Sequence, residues 1–224
     1  MGGLFVLEGV DGSGKSTQFT FLCQRLDNAG KKFTRLVFPQ YAEPSSALIK
    51  MYLSGEFGND PENINAYAAS AFFAVDRYAS FIKAWNKNYR AGEIILTDRY
   101  TTSNAIHQGS KLPYGKYTEY LDWLYDFEHK KMGLPVPDVV FYMDISPETA
   151  LKQRKQRETE TGSKSDIHES DDDYLKKCCH YGKIAAEYYK WTKIRCDNNC
   201  QMRTVSDIND EIISILEMKI GAKF

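Results

Sequence analysis

Gly9-Val10-Asp11-Gly12-Ser13-Gly14-Lys15-Ser16 follows the apolar run Leu4-Phe5-Val6-Leu7 and precedes a helical pattern. The stretch spells G-x-x-x-x-G-K-S, the phosphate-binding loop, in the strand-to-helix setting that the motif requires. Its glycines let successive backbone N–H groups converge on one anion, and the dipole of the following helix adds partial positive charge. Gly9, Asp11, Gly12, Ser13, Gly14, Lys15, Ser16 and Thr17 are therefore the candidate donor-phosphate residues. Switches, motors, transporters and kinases all use such a loop, so it leaves the reaction open.

The rest of the chain is read outward from this turn. Its 224 residues are 42% hydrophobic and 26% charged, ordinary for one globular α/β domain over 1–224. Lys and Arg number 29 against 30 Asp and Glu, a net charge of −1, so there is no general basic field for nucleic acid or an anionic membrane. No stretch approaches the roughly 18 apolar residues of a membrane helix, and the first strand begins without a signal peptide, which points to the cytoplasm. Five cysteines without secretory context imply free thiols, and Cys178, Cys179, Cys196 and Cys200 fit a compact zinc site poorly.

Apolar positions Phe19, Leu22, Cys23 and Leu26 predict a helix from Lys15 to Ala29, and Lys31 to Phe38 a second strand. Glu43-Pro44-Ser45 opens a short helix. A long helical pattern runs from Glu62 to about Tyr89, with Ile64, Tyr67, Ala68, Ala71, Val75, Tyr78 and Ile82 as the stripe expected to face the core. Further strands are predicted at 93–97, 138–143 and 194–196, and helices within 100–131, after Ser146-Pro147, over 172–191 and over 205–220. Arg157 to Asp173 is polar, without apolar period, and is expected to be a mobile loop. The alternation predicts a central five-stranded parallel sheet with helices on both faces and ligands at the strands' carboxyl ends.

Several side chains then carry chemistry. Lys15 can reach β- and γ-phosphates, and the Ser16 hydroxyl can ligate Mg²⁺. Asp98-Arg99 follows a predicted strand and places an acid for the metal and a base for phosphate in the same crevice; capping of the next helix is the competing role for Asp98. Phe73 and Arg77, four apart, are expected to project together away from the core, one to stack on a base and the other to bond its edge. Arg154, Lys155, Arg157 and Lys164 lie in or beside the mobile segment, as a closing lid at about 155–170, or an ordinary solvated helix end, would have them.

With these residues assembled, the chain resembles the thymidylate kinases, P-loop nucleoside monophosphate kinases. The resemblance lies in Leu7 to Gln18, Phe38-Pro39, Phe73 to Arg77, Asp98-Arg99-Tyr100 with Ser103, Gln108-Gly109 and His168-Glu169-Ser170, in family order from Leu4 to about Trp191. It implies transfer of the γ-phosphate of ATP to dTMP with Mg²⁺, in a homodimer joined through the long helices. It further implies dTMP contacts from Asp11, Phe38, Tyr41, Phe73, Arg77, Arg99, Ser103, Asn104 and Gln108, and metal contacts from Ser16 and Asp98. Some relatives carry Arg after the loop Asp. Gly12 stands there instead, so the resemblance assigns the catalytic cation to the lid, to Arg154 or Arg157 beside Lys15 and Arg99.

The chain departs from the family pattern at three places. Gln40-Tyr41 follows Phe38-Pro39 where many relatives have an arginine, His107 stands where Tyr or Phe is usual beside the sugar, and the lid is poor in Arg. Two other functions stay open on the sequence: a deoxynucleoside kinase using Glu8 as base on an acceptor hydroxyl, and a nucleotide-dependent switch. No Asn-Lys-x-Asp motif supports the switch.

Overall fold

Strand β1 (Gly3–Glu8) is apolar on both faces, and the sheet uses both. Leu4 and Val6 point into a cluster with Leu36, Ile95, Phe81 and Trp85. Phe5 and Leu7 point the opposite way, against Phe19, Leu22, Leu26, Ile212 and Leu216. Burial of each such side chain contributes roughly 1.5–3 kcal/mol, so a strand sandwiched this way must lie in the middle of the sheet. The computed structural model describes residues 2–58, 60–161, 172–221 and 223.

The sheet has the order β2-β3-β1-β4-β5, with β2 at Phe33–Val37, β3 at Ile94–Asp98, β4 at Val139–Asp144 and β5 at Thr192–Arg195. All of its pairings are parallel. The five-stranded parallel α/β sheet expected from the alternation is thus present. Register decides where the chemistry falls: Leu7 pairs with Asp98 and Val37 with Asp98, so three strands end level with one another. The phosphate loop after β1, the Asp98-Arg99 turn after β3 and Phe38-Pro39 after β2 emerge on one edge, where an open parallel sheet binds ligands.

Helices α1 (Lys15–Asn28), α2 (Ala47–Leu53), α3 (Ala66–Ser80), α4 (Asn86–Arg90), α5 (Tyr114–Tyr125), α6 (Pro147–Thr161), α7 (Asp172–Tyr188) and α8 (Val205–Ile220) surround the sheet. One π-turn at Phe81–Trp85 joins α3 to α4, and others cover Asn104–Gln108 and Asp126–Lys131. Side-chain oxygens cap helix starts: Asn65 accepts from the Ala68 N–H, Ser146 from the Thr149 N–H and Thr204 from the Asp207 N–H. A hairpin of β6 (Asp197–Asn198) and β7 (Gln201–Met202) lies near the phosphate loop, with the Met202 methyl against Gly14.

Two sequence expectations are corrected. The stripe on α3 faces outward at its carboxyl half: Val75, Tyr78 and Ile82 are 48%, 42% and 55% exposed. The buried face is Ala66, Ala69, Ser70, Ala74 and Arg77, continuing into Phe81 and Trp85. Small side chains let α3 approach its neighbours closely, and a count of large apolar residues underweights them. The helix after Ser146 also continues past Arg157 to Thr161. Polar pairs four residues apart replace the missing apolar period there: Arg154 with Glu158 at 3.6 Å and Gln156 with Glu160 at 2.8 Å. The remainder of the expected lid, 162–170 with Lys164 and His168-Glu169-Ser170, lies outside the described residues. No described helix is long and apolar enough to cross a membrane.

Candidate active site

The phosphate loop is shaped by two left-handed glycines, Gly12 at φ 79° and Gly14 at φ 81°. A Cβ on Gly12 would fall 2.2 Å from the Ala150 carbonyl oxygen, so no side chain fits at this position. That is the physical reason why an arginine cannot follow Asp11 in this chain, and it places the burden of a further cation elsewhere. Helix α1 begins at Lys15 with no acidic side chain in its first turn, leaving its N–H groups and dipole for an anion.

Lys15 is buried and bonds Oδ1 of Asp98, while the Ser16 hydroxyl donates to Asp98 Oδ2 at 3.2 Å. Asp98 therefore faces the loop rather than capping a helix or pairing with Arg99 at the surface. Burial and the neighbouring Arg99 guanidinium push the Lys15 ammonium below its ordinary range, against the pull of Asp98 and Glu8. The hydroxyl and carboxylate oxygens of Ser16 and Asp98 suit Mg²⁺, which keeps waters and phosphate oxygens for its remaining positions.

Arg99 leaves β3 with a left-handed backbone, φ 66°, and its N–H donates to the Leu7 carbonyl at 3.0 Å. This throws its side chain across the loop, where Nη2 donates to Asp11 Oδ1 at 3.0 Å and Nη1 lies 2.9 Å from His107 Nε2. Burial pulls its guanidinium toward losing the proton, but Asp11, Glu8 and Asp98 hold it firmly charged. Burial likewise raises the Asp11 carboxyl, but Arg99 first, with Lys15 and Arg157, outweighs it and holds the group below the usual carboxylate range.

Two cavities meet here. One, of about 280 Å³, is lined by Asp11, Gly12, Ser13, Gly14, Lys15, Ser16, Thr17 and Arg157. The other, of about 160 Å³, is lined by Asp11, Phe38, Tyr41, Phe73, Arg77, Arg99, Ser103, Asn104 and Gln108. Every residue singled out in the sequence for the acceptor is thus in one cavity, and Asp11 is common to both. Gly9, Asp98 and Arg154 line neither. A third cavity, of about 220 Å³ beside Trp191 and His129, lies behind Thr101-Thr102 and holds no loop residue.

Arg77 does not project away from the core as the spacing predicts, although with Phe73 it lines the acceptor cavity. It is buried, and its Nε and Nη2 donate to Glu128 at 2.7 and 2.6 Å. Glu128 also accepts from Asn104 Nδ2 at 2.9 Å, which fixes that amide with its oxygen free of this network. Gln108 is buried, and among the described residues its Oε1 has no partner. Sequence reasoning missed Glu128, which lies in a polar helical stretch with no motif, and Asp76, whose carboxylate takes the Gln40 N–H at 2.8 Å and the Ser45 hydroxyl at 2.6 Å.

Glu8, the alternative base, is wholly buried. Its oxygens accept from the Gly9 N–H at 2.9 Å and from the Thr102 and Ser103 hydroxyls at 2.6 Å each. It ties the loop to the segment after β3 and lines neither cavity, so it is not presented to an acceptor hydroxyl. The same bonds give the Ser103 hydroxyl a scaffolding partner. Of the lid cations, Arg154 is buried and bonds Asp172 at the start of α7, whereas Arg157 lines the phosphate cavity. All five cysteines are free, with Cys200 exposed and the others buried.

The thymidylate kinase family model matches residues 7–207. Thymidylate kinase from Mycobacterium tuberculosis is 29% identical over 87% of this chain and 92% of its own length. A probable thymidylate kinase from Thermococcus kodakarensis is 26% identical over 96% and 98%, and thymidylate kinase from Ruegeria pomeroyi 30% identical over 70% of each chain. The solved thymidylate kinase of Candida albicans superposes with a TM-score of 0.72 at 19% identity, covering 98% of this chain and 92% of that one, which shows the same fold. Matched over nearly its whole length, with the phosphate loop and the Asp98-Arg99 turn inside the match, the chain belongs to the thymidylate kinase family of nucleoside monophosphate kinases.

Proposed function

We propose that this protein transfers the γ-phosphoryl group of ATP to dTMP, giving ADP and dTDP. The observation that carries the reading is the shared wall at Asp11, where a phosphate cradle meets a cavity bounded by an aromatic ring and amide groups. A monophosphate held by its base in that cavity directs its phosphate toward Arg99 and the loop. An acceptor phosphate oxygen bonds to the γ-phosphorus as the bond to the β,γ-bridging oxygen breaks, and the electron pair leaves on ADP. The acceptor is already an anion, so no general base is required; alignment and charge neutralisation supply the rate.

Lys15, Arg99 and Arg157 are the cations assigned to the phosphates, with Arg154 holding α6 to α7 in place of direct contact. Phe73 stacks on the base, while Arg77, Asn104 and Gln108 read its edge and Asp11 meets the sugar hydroxyl. Phe38, Tyr41 and Ser103 complete the acceptor wall. Mg²⁺, when bound through Ser16 and Asp98, offsets charge on the β- and γ-phosphates. The burial of Glu8 outside both cavities, bonded to Gly9, Thr102 and Ser103, favours a monophosphate acceptor over a nucleoside. The exposed stripe Val75, Tyr78 and Ile82 is assigned to a homodimer contact between α3 helices.

Coupled ADP release with ATP, Mg²⁺ and a panel of dTMP, dUMP, dCMP and thymidine tests the reading. Turnover on dTMP is expected. Phosphorylation of thymidine without dTMP would overturn it.

A further inference from the structure

Arg99 is the side chain on which acceptor and donor phosphates converge, and its geometry depends on a partner that cannot donate to it. A guanidinium has five N–H donors and no lone pair, and here Asp11, Glu8 and Asp98 hold it charged. Its Nη1 lies 2.9 Å from His107 Nε2. That contact is a hydrogen bond only when Nε2 carries a lone pair, which requires a neutral imidazole with its proton on Nδ1. Nδ1 in turn lies 3.7 Å from Cys178 Sγ, a weak acceptor at this distance.

We propose that His107 is a positioning residue for phosphoryl transfer: its neutral ring accepts from Arg99 and fixes the guanidinium beside Asp11. The inference rests on the phosphotransfer reading above. The ring itself is held. The His107 carbonyl accepts from the Ser110 hydroxyl at 3.0 Å and the Tyr174 hydroxyl at 2.9 Å, and the Tyr174 ring is stacked on the imidazole at 6.4 Å. Arg99 is thereby gripped from two sides, by Asp11 at Nη2 and by His107 at Nη1. An apolar ring at position 107 would leave Nη1 without that grip.

Protonation of His107 would place two N–H donors 2.9 Å apart and two positive charges in contact, so the bond is lost and the guanidinium turns away. Among the described residues, the groups facing the ring are Arg99 from the end of β3, Asp11 in the loop, and Cys178 and Tyr174 from α7. Burial pushes the Cys178 thiol up to about 12, so no thiolate stands ready to stabilise an imidazolium. Asp11 favours the charged ring, but its Oδ1 is engaged by Arg99. The result is a turnover that needs His107 neutral and falls as the medium becomes acid.

Two measurements test this. The first is the pH profile of kcat from about pH 8 down to about pH 5.5, the range in which an imidazole titrates. Wild type is expected to lose turnover along a limb steeper than protonation of the acceptor phosphate, pKa about 6, gives by itself. His107→Phe is expected to lower kcat at neutral pH by at least roughly fivefold, as for loss of a hydrogen bond to a charged group, with KM for ATP little changed. His107→Gln, whose amide oxygen can accept from Arg99, should recover part of that loss, and both variants should keep only the shallower limb that the acceptor phosphate itself contributes. An unchanged acid limb in His107→Gln, or wild-type kcat in His107→Phe, would overturn the proposal. The second is ¹⁵N NMR of the ring in the unliganded protein at pH 7, where a neutral, Nδ1-protonated tautomer is expected. A protonated ring or an Nε2–H tautomer sinks the assignment whatever the activity, whereas absence of kinase turnover with the expected tautomer counts against the reaction alone.

Discussion

Arg99 Nη2 donates to Asp11 Oδ1 at 3.0 Å, joining the end of β3 to the middle of the phosphate loop. The two residues come from separate strand ends brought level by the Leu7–Asp98 register. Arg99→Ala removes the cation that aligns the acceptor, and kcat should fall by at least about 100-fold, as when a preorganised charge donor is lost. ATP affinity, measured by equilibrium titration, should stay within about threefold, because the loop and Lys15 remain. Turnover near wild type would remove Arg99 from the mechanism.

Arg157 and Arg154 separate cleanly by surroundings. Arg157→Ala should reduce kcat by about two decades with the melting temperature within about 2 °C of wild type, since it lines the phosphate cavity. Arg154→Ala should lower the melting temperature by several degrees, about 3 °C or more, through loss of a buried side chain that joins α6 to Asp172. Thermal scans and single-turnover rates on both variants decide the assignment; the reverse pattern would exchange the two roles.

Glu128 should behave as the keystone of the base-reading wall. Its removal leaves Arg77 buried and unpaired, which costs on the order of 3–5 kcal/mol. Glu128→Ala is accordingly expected to show a large drop in denaturant midpoint, and Glu128→Gln a smaller drop with a raised KM for dTMP. Denaturant titration of either variant at wild-type midpoint would contradict the burial and bonding described for Arg77.

The outward stripe on α3 predicts an association constant that one charge can abolish. Ile82→Asp, at the most exposed of the three positions, should convert a dimer to a monomer by sedimentation at micromolar protein. A wild-type protein that sediments as a monomer would withdraw the dimer proposal.

Lys111 supplies a pH test of stability. Burial lowers its ammonium to about 8, while its Nζ donates to the Tyr52 hydroxyl at 2.6 Å and the Ile64 carbonyl at 3.1 Å. The unfolded chain keeps that proton up to 10.5, so between about pH 8 and 10.5 the unfolded state binds more protons and Lys111's contribution to stability rises with pH. Below about pH 8 both states are charged and the contribution is constant. The stability of wild type minus that of Lys111→Met, from urea titrations, should climb across this window; a flat difference would contradict the lowered value.

Much of the fold was legible because it rests on local pattern. The run Leu4 to Leu7 bounded by glycines, the alternation of apolar strands with periodic helices and the loop at Gly9 to Ser16 each depend on residues near one another in the chain. Length of α6 was not legible, because its last turns are held by Arg154–Glu158 and Gln156–Glu160 pairs rather than by an apolar face. The buried side of α3 was hidden for the converse reason: alanines give little signal in a pattern yet pack closest.

The site divides along the same line. The sequence alone determined a phosphate loop and the Asp98-Arg99 turn, since glycine spacing and strand-end position state what the backbone must do, and the family resemblance named most of the acceptor candidates. Only the tertiary structure decided that Asp98 faces Lys15, that Glu128 holds both Arg77 and Asn104, that Gly12 has no room for a side chain, and that Arg157 rather than Arg154 lines the phosphate cavity. Those outcomes depend on strand register and on buried polar partners 24 to 83 residues apart, where each charge needs a mate that no local pattern names.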